Sequence, residues 1–240
     1  MDIEKKTNND YEKDNSNYLH VNPTWHTEDS PWKATQVLKM MERNKLQPKS
    51  VVEIGCGAGE ILNQLQQRMA DKTIVFSGYE IAPDAFKMAQ SREKEGLHFY
   101  RDDLLQNNNT YDLLLMIDVF EHVEDYIGFV RKCKAKATYK IYHIPLDVSL
   151  WSVFTNYPAS ARKQIGHLHY FMKDTALATL IDADQEIVDW FYTPGALEVN
   201  NKGLSFTGKF IQLLRWFFYK VKPDFAVKAF GGFSLIVLTK

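Results

Sequence analysis

Residues 51–60 read Val51-Val52-Glu53-Ile54-Gly55-Cys56-Gly57-Ala58-Gly59-Glu60, and this stretch decides the fold. It predicts a short apolar β-strand, a turn with glycine at every second position, and a helix over 61–69. Glycine permits the sharp turn and lets a ligand approach bare backbone. The helix N-terminus behind the turn offers unpaired N–H groups. The stretch therefore predicts a ligand-binding turn at the end of a strand.

The spacing of the glycines bears on the kind of ligand. A dinucleotide-binding turn has the pattern G-x-G-x-x-G, with the third glycine allowing close contact between strand and helix near the pyrophosphate. Here that third position is Glu60, whose carboxylate disfavours a pyrophosphate. Glu53 stands two residues before the first glycine and favours a ligand that carries an ammonium group. A nicotinamide-dependent oxidoreductase is therefore the weaker interpretation.

Acidic residues follow three further predicted strands. The strand over 73–80 ends at Glu80, the strand over 97–101 leads to Asp102 and Asp103, and the strand over 111–117 ends at Asp118. The carboxyl ends of parallel strands lie at one edge of a sheet, and ligands of open α/β sheets bind at that edge. We therefore expect these acids to surround one ligand, with Glu80 accepting hydrogen bonds from two ribose hydroxyls.

With these motifs in this order, residues 30–195 resemble the class I S-adenosylmethionine-dependent methyltransferases of the small-molecule type. The resemblance implies an α/β fold, a Rossmann-like doubly wound sheet of seven strands with helices on both faces. The sheet is expected to be mostly parallel, with an antiparallel last strand inserted between the fifth and sixth. The resemblance also implies S-adenosyl-L-methionine as the cofactor.

The resemblance assigns roles at the cofactor site. In that family the glycine turn approaches the methionine part of the cofactor, and the acid of the first strand anchors its amino group. The acid of the second strand holds the ribose, and the residue after the third strand accepts from the adenine amine. The implied cofactor-binding residues are Glu53, Gly55, Cys56, Gly57, Glu80, Ile81, Asp103, Leu104, Ile117 and Asp118. Asp102 replaces Asp103 if the register slips by one residue.

Histidines are the candidates for catalysis, because an acceptor hydroxyl or activated carbon needs a base with a pKa near neutral. His143, at the end of the predicted fifth strand, ranks first. His122 stands in a Glu-His-Val element common in the family, where a structural role is the more frequent one. His169 lies close to His167, and this pair can bind a metal only with a third ligand. None is near in sequence, so no metal is expected.

Composition limits the possible partners. The 240 residues carry a formal net charge of −1 and are 45% apolar, and the estimated pI is near 6.7. This charge gives no basic field for a nucleic-acid backbone, so no nucleic acid is expected. The residues at 118–121 also lack the Pro-Pro motif typical of enzymes that methylate base amino groups. The two cysteines, Cys56 and Cys133, predict a reducing, cytoplasmic location.

The domain organisation is predicted to be simple. Residues 1–17 form a mobile polar tail without signal-peptide character, and 18–240 form one domain. Within it, 145–170 is an aromatic-rich, acceptor-side loop region, irregular up to about residue 166. Residues 199–231 contain a basic and aromatic helix over 207–222. Three interpretations of that helix stay open: a lid or packing helix, a homodimer contact, and a contact with a membrane surface or lipid-linked substrate.

Two predicted helices follow from capping signals, and a third follows from apolar residues on one face. The first covers 31–44 with Ser30 as N-cap, the second covers 84–95 after Pro83, and the third covers 124–136.

The expected function is methyl transfer from S-adenosylmethionine to a small organic acceptor, most often at oxygen, with a quinone, sugar or lipid-linked compound as examples. The alternative is a catalytically silent S-adenosylmethionine-binding protein with an assembly or regulatory role.

Overall fold

The computed structural model describes residues 22–25, 27–199 and 205–240. The predicted tail over 1–17 lies outside the described residues. Seven strands form one sheet in the order β3-β2-β1-β4-β5-β7-β6. They are β1 Ser50–Ile54, β2 Val75–Tyr79, β3 Leu97–Tyr100, β4 Tyr111–Ile117, β5 Ala137–Pro145, β6 Ile187–Thr193 and β7 Ser234–Thr239.

The pairing of the strands confirms the predicted topology. Strands β1 to β5 pair in parallel with their neighbours, and β7 runs antiparallel to both β5 and β6. The last strand therefore lies between the fifth and the sixth, as the resemblance implied. The bounds of β4 are those predicted from the sequence, since its unbroken apolar run is typical of a strand buried on both faces.

Ten α-helices connect the strands in the described part of the chain. They are α1 Ser30–Arg43, α2 Glu60–Arg68, α3 Pro83–Gln90, α4 Tyr126–Cys133, α5 Leu150–Phe154, α6 Tyr157–Gln164, α7 Lys173–Asp182, α8 Gly195–Glu198, α9 Phe206–Val221 and α10 Pro223–Phe230.

The sheet separates two hydrophobic cores. Side chains alternate along β4, so that Leu113 and Leu115 face one core while Leu114 and Met116 face the other. Helices α1 and α2 supply apolar side chains to the first core, and α4, α7 and α10 supply them to the second. Because both faces are covered, the ligand-accessible part of the sheet is its edge.

Two of the predicted helix boundaries were wrong. Helix α3 ends at Gln90 rather than at residue 95, because Lys94 and Leu97 exchange backbone hydrogen bonds around a turn in which Gly96 has a φ of +72°. Helix α1 begins at Ser30, with Asp29 at the N-cap position and no side-chain capping bond. Ser30 is therefore a helical residue and not the predicted N-cap.

The segment predicted to be irregular, 145–166, contains the short helices α5 and α6. Ser149 and Ser152 cap α5 reciprocally: the Ser149 hydroxyl accepts from the Ser152 N–H at 3.0 Å, and the Ser152 hydroxyl accepts from the Ser149 N–H at 2.7 Å. Asn156, with a φ of +52°, separates the two helices, and Pro158 lies in the first turn of α6. Capping rather than apolar periodicity therefore defines α5.

Helices α9 and α10 lie between β6 and β7. Ala226 and Val227 of α10 are buried in the second core. Arg215 of α9 donates to the backbone carbonyls of Phe230 and Gly231, which fixes the two helices together. Within the described ranges, no helix has both the length and the apolar character needed to cross a membrane.

Candidate active site

A cavity of about 510 Å³ lies at the carboxyl ends of β1 and β4, within the range of small-molecule sites. Six carboxylates and one lysine are among its described lining residues. The acids are Glu28, Asp29, Glu53, Glu60, Asp118 and Asp147, and the lysine is Lys33. A cavity with this excess of carboxylates favours a positively charged ligand.

The glycine turn after β1 is fastened to the end of β2. The N–H groups of Gly55 and Cys56 both donate to the carbonyl oxygen of Tyr79, at 2.9 and 3.1 Å. Gly57 has a φ of +54°, and a Cβ at this position would lie 2.8 Å from Cδ1 of Trp25. The turn therefore requires glycine there for its backbone conformation and for the close approach of the indole.

Glu53 is the next-to-last residue of β1 and is 1% exposed. Its Oε2 atom has no hydrogen-bond partner within residues 22–25, 27–199 and 205–240. Burial raises the pKa of Glu53 well above its ordinary value, although the charge of Lys33 opposes this shift. An unpartnered acceptor in an acidic cavity is suited to a cationic donor such as an ammonium group.

Glu80, at the end of β2, reaches back to the glycine turn. Its Oε2 accepts from the Gly57 N–H and its Oε1 accepts from the Ala82 N–H, both at 2.8 Å. Burial raises the pKa of Glu80, and the backbone N–H donors partly offset that effect. The structure therefore joins two of the predicted cofactor residues directly.

Asp118 adopts a φ of +54° after β4 and lies at the centre of a buried polar chain. Its Oδ2 is 2.8 Å from Lys33 Nζ, and its Oδ1 is 2.6 Å from His143 Nδ1. His143 Nε2 is in turn 2.9 Å from the Thr193 hydroxyl. Sequence reasoning missed Lys33 and Thr193, because nothing in their local sequence distinguishes them.

This chain of contacts has an electrostatic consequence. Burial alone would raise the pKa of Asp118, but His143 and Lys33 outweigh it and hold that pKa below its ordinary value. Burial opposes the charge of Lys33, but attraction to Asp118 outweighs it and raises the pKa of Lys33. An ionised pair therefore lies at the wall of the cavity.

The three predicted catalytic histidines have different surroundings. Both ring nitrogens of His143 are hydrogen bonded within the protein, which favours a role in orienting Asp118. His169 donates from Nε2 to the Val123 carbonyl at 2.9 Å and is not among the cavity-lining residues. His122 does line the cavity. Catalytic roles for these side chains stay predictions.

The predicted adenine contacts lie beside the cavity rather than in its lining. Asp103 accepts from the Leu105 N–H at 2.9 Å, and Asp102 accepts from the Asp103 N–H at 2.9 Å. Leu104 is buried, whereas Ile81 is 43% exposed at the end of β2. Because β3 is next to β2 in the sheet, these residues follow neighbouring strand ends. Their contacts with a cofactor stay predictions.

A second group of polar side chains occupies the other end of the cavity. Glu121 is fully buried, and neither carboxylate oxygen has a hydrogen-bond partner in the described part of the chain. His122 and His167 line the cavity, with ring centroids 4.9 Å apart. His167 Nδ1 is 2.5 Å from Asp147 Oδ2. The sequence paired His167 with His169, whereas the fold brings it against His122.

The sequence matches a family model described as a methyltransferase domain over residues 25–188. A ubiquinone biosynthesis O-methyltransferase of Vibrio campbellii is 28% identical over 94 residues. That alignment covers 36% of this chain and 38% of the relative. The chain thus matches less than half of the relative's length.

Two solved structures have the same fold. The magnesium protoporphyrin IX methyltransferase of Synechocystis PCC 6803, with bound S-adenosylhomocysteine, superposes with a TM-score of 0.57 at 14% identity, over 92% of this chain and 86% of that one. The N-methyltransferase NodS of Bradyrhizobium japonicum WM9, also with S-adenosylhomocysteine, superposes with a TM-score of 0.54 at 16% identity, over 96% and 94%. At these identities the likeness concerns the fold.

Proposed function

The chain belongs to the methyltransferase-domain family, and from that premise we propose that it transfers the methyl group of S-adenosylmethionine to an oxygen of a small organic acceptor. The observation that carries the proposal is the buried, unpartnered carboxylate oxygen of Glu53 beside the glycine turn. An ammonium group placed there would satisfy that oxygen. A pyrophosphate would add negative charge to a cavity that already holds an excess of carboxylates.

The residues of the cavity edge fit this cofactor. Glu53 would bind its amino group, and the bare backbone of Gly55 and Gly57 would lie against its methionine part. Glu80 keeps acceptor capacity for ribose hydroxyls beyond the two N–H bonds that it already accepts. When bound, S-adenosylmethionine supplies a methyl group on a sulfonium, whose C–S bond breaks with its electron pair on sulfur as the acceptor oxygen forms the new C–O bond.

The acceptor is proposed to bind at the end of the cavity lined by Tyr157, Ile165, His122 and His167. The protein there has to orient the acceptor, exclude water and receive the hydroxyl proton. The matched O-methyltransferase of Vibrio campbellii supports oxygen as the methylated atom. The acceptor itself and the predicted cytoplasmic location stay predictions.

Calorimetric titration tests the cofactor. S-adenosylmethionine should bind to the purified protein, NADH should not, and Glu53→Gln should weaken binding about tenfold or more, since a hydrogen bond to a charged group contributes roughly 1.5–3 kcal/mol. Glu93→Gln, an exposed acid outside the cavity, is the matched control and should bind normally. Binding of NADH alone would refute the proposal. Cofactor binding without S-adenosylhomocysteine release across phenolic and quinol acceptors would favour the catalytically silent alternative.

We further propose that α9 docks on an anionic membrane surface that presents an apolar acceptor. Its exposed face carries a stripe of large apolar side chains at helical spacing. They are Phe210, Leu213, Phe217 and Val221, with Trp216 beside them. Lys209 and Lys220 are exposed on the same helix, and α9 contains no acidic residue. This combination is typical of helices that lie in the interface of anionic bilayers.

Vesicle sedimentation tests the membrane contact. The protein should sediment with vesicles that contain phosphatidylserine and less with pure phosphatidylcholine. Leu213→Ser together with Phe217→Ser should reduce the bound fraction several-fold, since each removes an exposed apolar side chain. Ile181→Ser, an equally exposed apolar position on α7, is the control. Equal binding of all variants, or a concentration-dependent dimer that the double variant abolishes, would overturn this proposal.

A further inference from the structure

We propose that Glu121, His122 and His167 bind a divalent transition-metal ion of the Zn²⁺ class. One donor atom from each side chain lies within 4.8 Å of the other two. For a tetrahedral ion with bonds near 2.1 Å, donor atoms stand about 3.4 Å apart, so each has to move by roughly 0.7 Å at most. Rotations of the side chains supply movements of that size without a change of backbone.

The carboxylate of Glu121 is the observation that points to a ligand. It is fully buried, and both of its oxygens lack a hydrogen-bond partner among the described residues. Its nearest imidazole nitrogen, Nε2 of His122, is 4.0 Å from Oε1, beyond hydrogen-bond distance. Buried carboxylates are normally hydrogen bonded or bound to a metal. A cation between Glu121 and the two imidazoles would satisfy both oxygens.

The orientation of His167 is consistent with metal binding. Its Nδ1 donates to the Asp147 carboxylate at 2.5 Å, which leaves Nε2 with the lone pair that a metal requires. A carboxylate on the second nitrogen is the usual arrangement of metal-binding histidines, because it fixes the ring and increases its basicity.

The backbone holds the two ligand segments together. The carbonyl oxygen of Glu121 accepts hydrogen bonds from the N–H groups of Leu168 and His169, at 2.8 and 3.1 Å. The loop after β4 and the loop after α6 are therefore joined directly beside the three donors. Such a connection reduces the entropy lost when the donors gather around an ion.

The chemistry of the donors selects the ion. Two imidazoles and one carboxylate suit Zn²⁺, Co²⁺ and Fe²⁺ better than Ca²⁺ or Mg²⁺, which prefer oxygen ligands. Three protein ligands leave at least one coordination position open, as in catalytic metal sites. His122 and His167 line the cavity, so that the open position faces the bound acceptor.

The ion would bind the acceptor hydroxyl and lower its pKa, so that the O–H proton leaves to solvent before the oxygen attacks the methyl carbon. This role rests on the proposed function, whereas cation binding itself does not. Cation binding and S-adenosylmethionine binding are therefore measured separately. Cation binding without cofactor binding would refute only the proposed function, and the reverse result would refute only the metal site.

Titration with Co²⁺ tests the site, because its visible absorption reports the ligand geometry. After treatment with a chelator, the protein should bind one equivalent of Co²⁺ with bands typical of four- or five-coordinate cobalt, and Zn²⁺ should displace it. Glu121→Gln and His167→Ala should each weaken binding at least tenfold. Thermal unfolding without metal shows whether each variant is folded, and Co²⁺ should raise the Tm of the parent protein but not that of these two variants.

His169→Asn is the matched control, since this histidine neighbours His167 but bonds to the Val123 carbonyl. It should bind Co²⁺ like the parent protein. A loss equal to that of His167→Ala would assign the ion to the two neighbouring histidines and overturn the proposed ligand set. Absence of stoichiometric binding, or unchanged binding in the Glu121→Gln and His167→Ala variants, would refute the site.

Discussion

Replacing Gly59 by alanine tests whether the glycine turn is held by steric contact. Gly59 has a φ of +75°, and a Cβ there would lie 2.4 Å from Cε1 of Phe99 and 3.2 Å from Cβ of Ala89. The left-handed conformation costs an alanine about 1–2 kcal/mol. Crowding in a packed interior adds roughly 1–3 kcal/mol. Alanine also reduces the conformational entropy of the unfolded chain, which offsets about 0.4–1 kcal/mol of this destabilisation.

The free energy of unfolding should therefore fall by about 2–4 kcal/mol in Gly59→Ala, the sum of these three effects. Urea denaturation followed by circular dichroism measures it. With a slope near 2 kcal/mol per molar urea, the midpoint should move down by roughly 1–2 M. Gly195→Ala is the control, since a Cβ there would lie 3.4 Å from the Trp32 ring, at ordinary contact distance. Its midpoint should change little.

A second substitution separates the cost of the left-handed conformation from the cost of crowding. Phe99→Leu removes the ring atoms that the new Cβ would meet but leaves the backbone conformation unchanged. In a double-mutant cycle, Gly59→Ala should cost about 1–2 kcal/mol less in the Phe99→Leu background than in the parent. A midpoint of Gly59→Ala within 0.3 M of the parent, roughly 0.6 kcal/mol, would refute the steric explanation. So would a cycle with no coupling between the two positions.

Three further predictions concern the cofactor site. Glu80→Ala should weaken S-adenosylmethionine binding by about 1–3 kcal/mol, since a charged acceptor is lost, and an unchanged dissociation constant would contradict its assignment to the ribose. Burial raises the pKa of Glu53, so this acid keeps its proton at pH values where an ordinary glutamate is ionised, and a bound ammonium group lowers that pKa again. Binding of S-adenosylmethionine should therefore release protons at pH values between the ordinary and the raised pKa of this group. The affinity should increase with pH across that window. Calorimetry in buffers of different ionisation enthalpy measures this, and proton uptake, or release that persists in Glu53→Gln, would contradict it. His143→Gln should leave the dissociation constant of S-adenosylmethionine within about twofold and lower the rate of S-adenosylhomocysteine release roughly tenfold or more, whereas equal losses in both would indicate a structural role.

The sequence predicted what depends on local pattern. The apolar run of β4 and the glycines after β1 act within a few residues, so the bounds of that strand and the position of the turn could be predicted locally, whereas the strand order was implied by the family resemblance. The short helices α5 and α6 were missed, since the reciprocal caps of Ser149 and Ser152 stabilise α5 over only five residues, too few to show a period. The sequence pattern therefore predicted a segment without regular secondary structure.

Contacts between segments that are far apart in the sequence could not be predicted from local sequence patterns. His122 and His167 are far apart in sequence and meet only because the loop after α6 folds against the loop after β4. The Glu-His-Val element at 121–123 is visible in the sequence, but no local sequence pattern indicates that both oxygens of Glu121 are buried without partners among the described residues. Lys33 could not be singled out either, since its role depends on the approach of α1 to Asp118.

The position of β7 between β5 and β6 sets the order in which the chain can fold on the ribosome. Among the described strands, β6 has no other hydrogen-bonding neighbour, so residues 187–193 stay unpaired in the sheet until 234–239 have been synthesised. At 5–20 residues per second, that delay is about two to nine seconds. During this time the aromatic side chains of Trp190 and Tyr192 lack their partners in the finished sheet. Chaperones are therefore expected to engage nascent chains of this length, and the hydroxyl of Thr193 reaches His143 only after the last strand arrives.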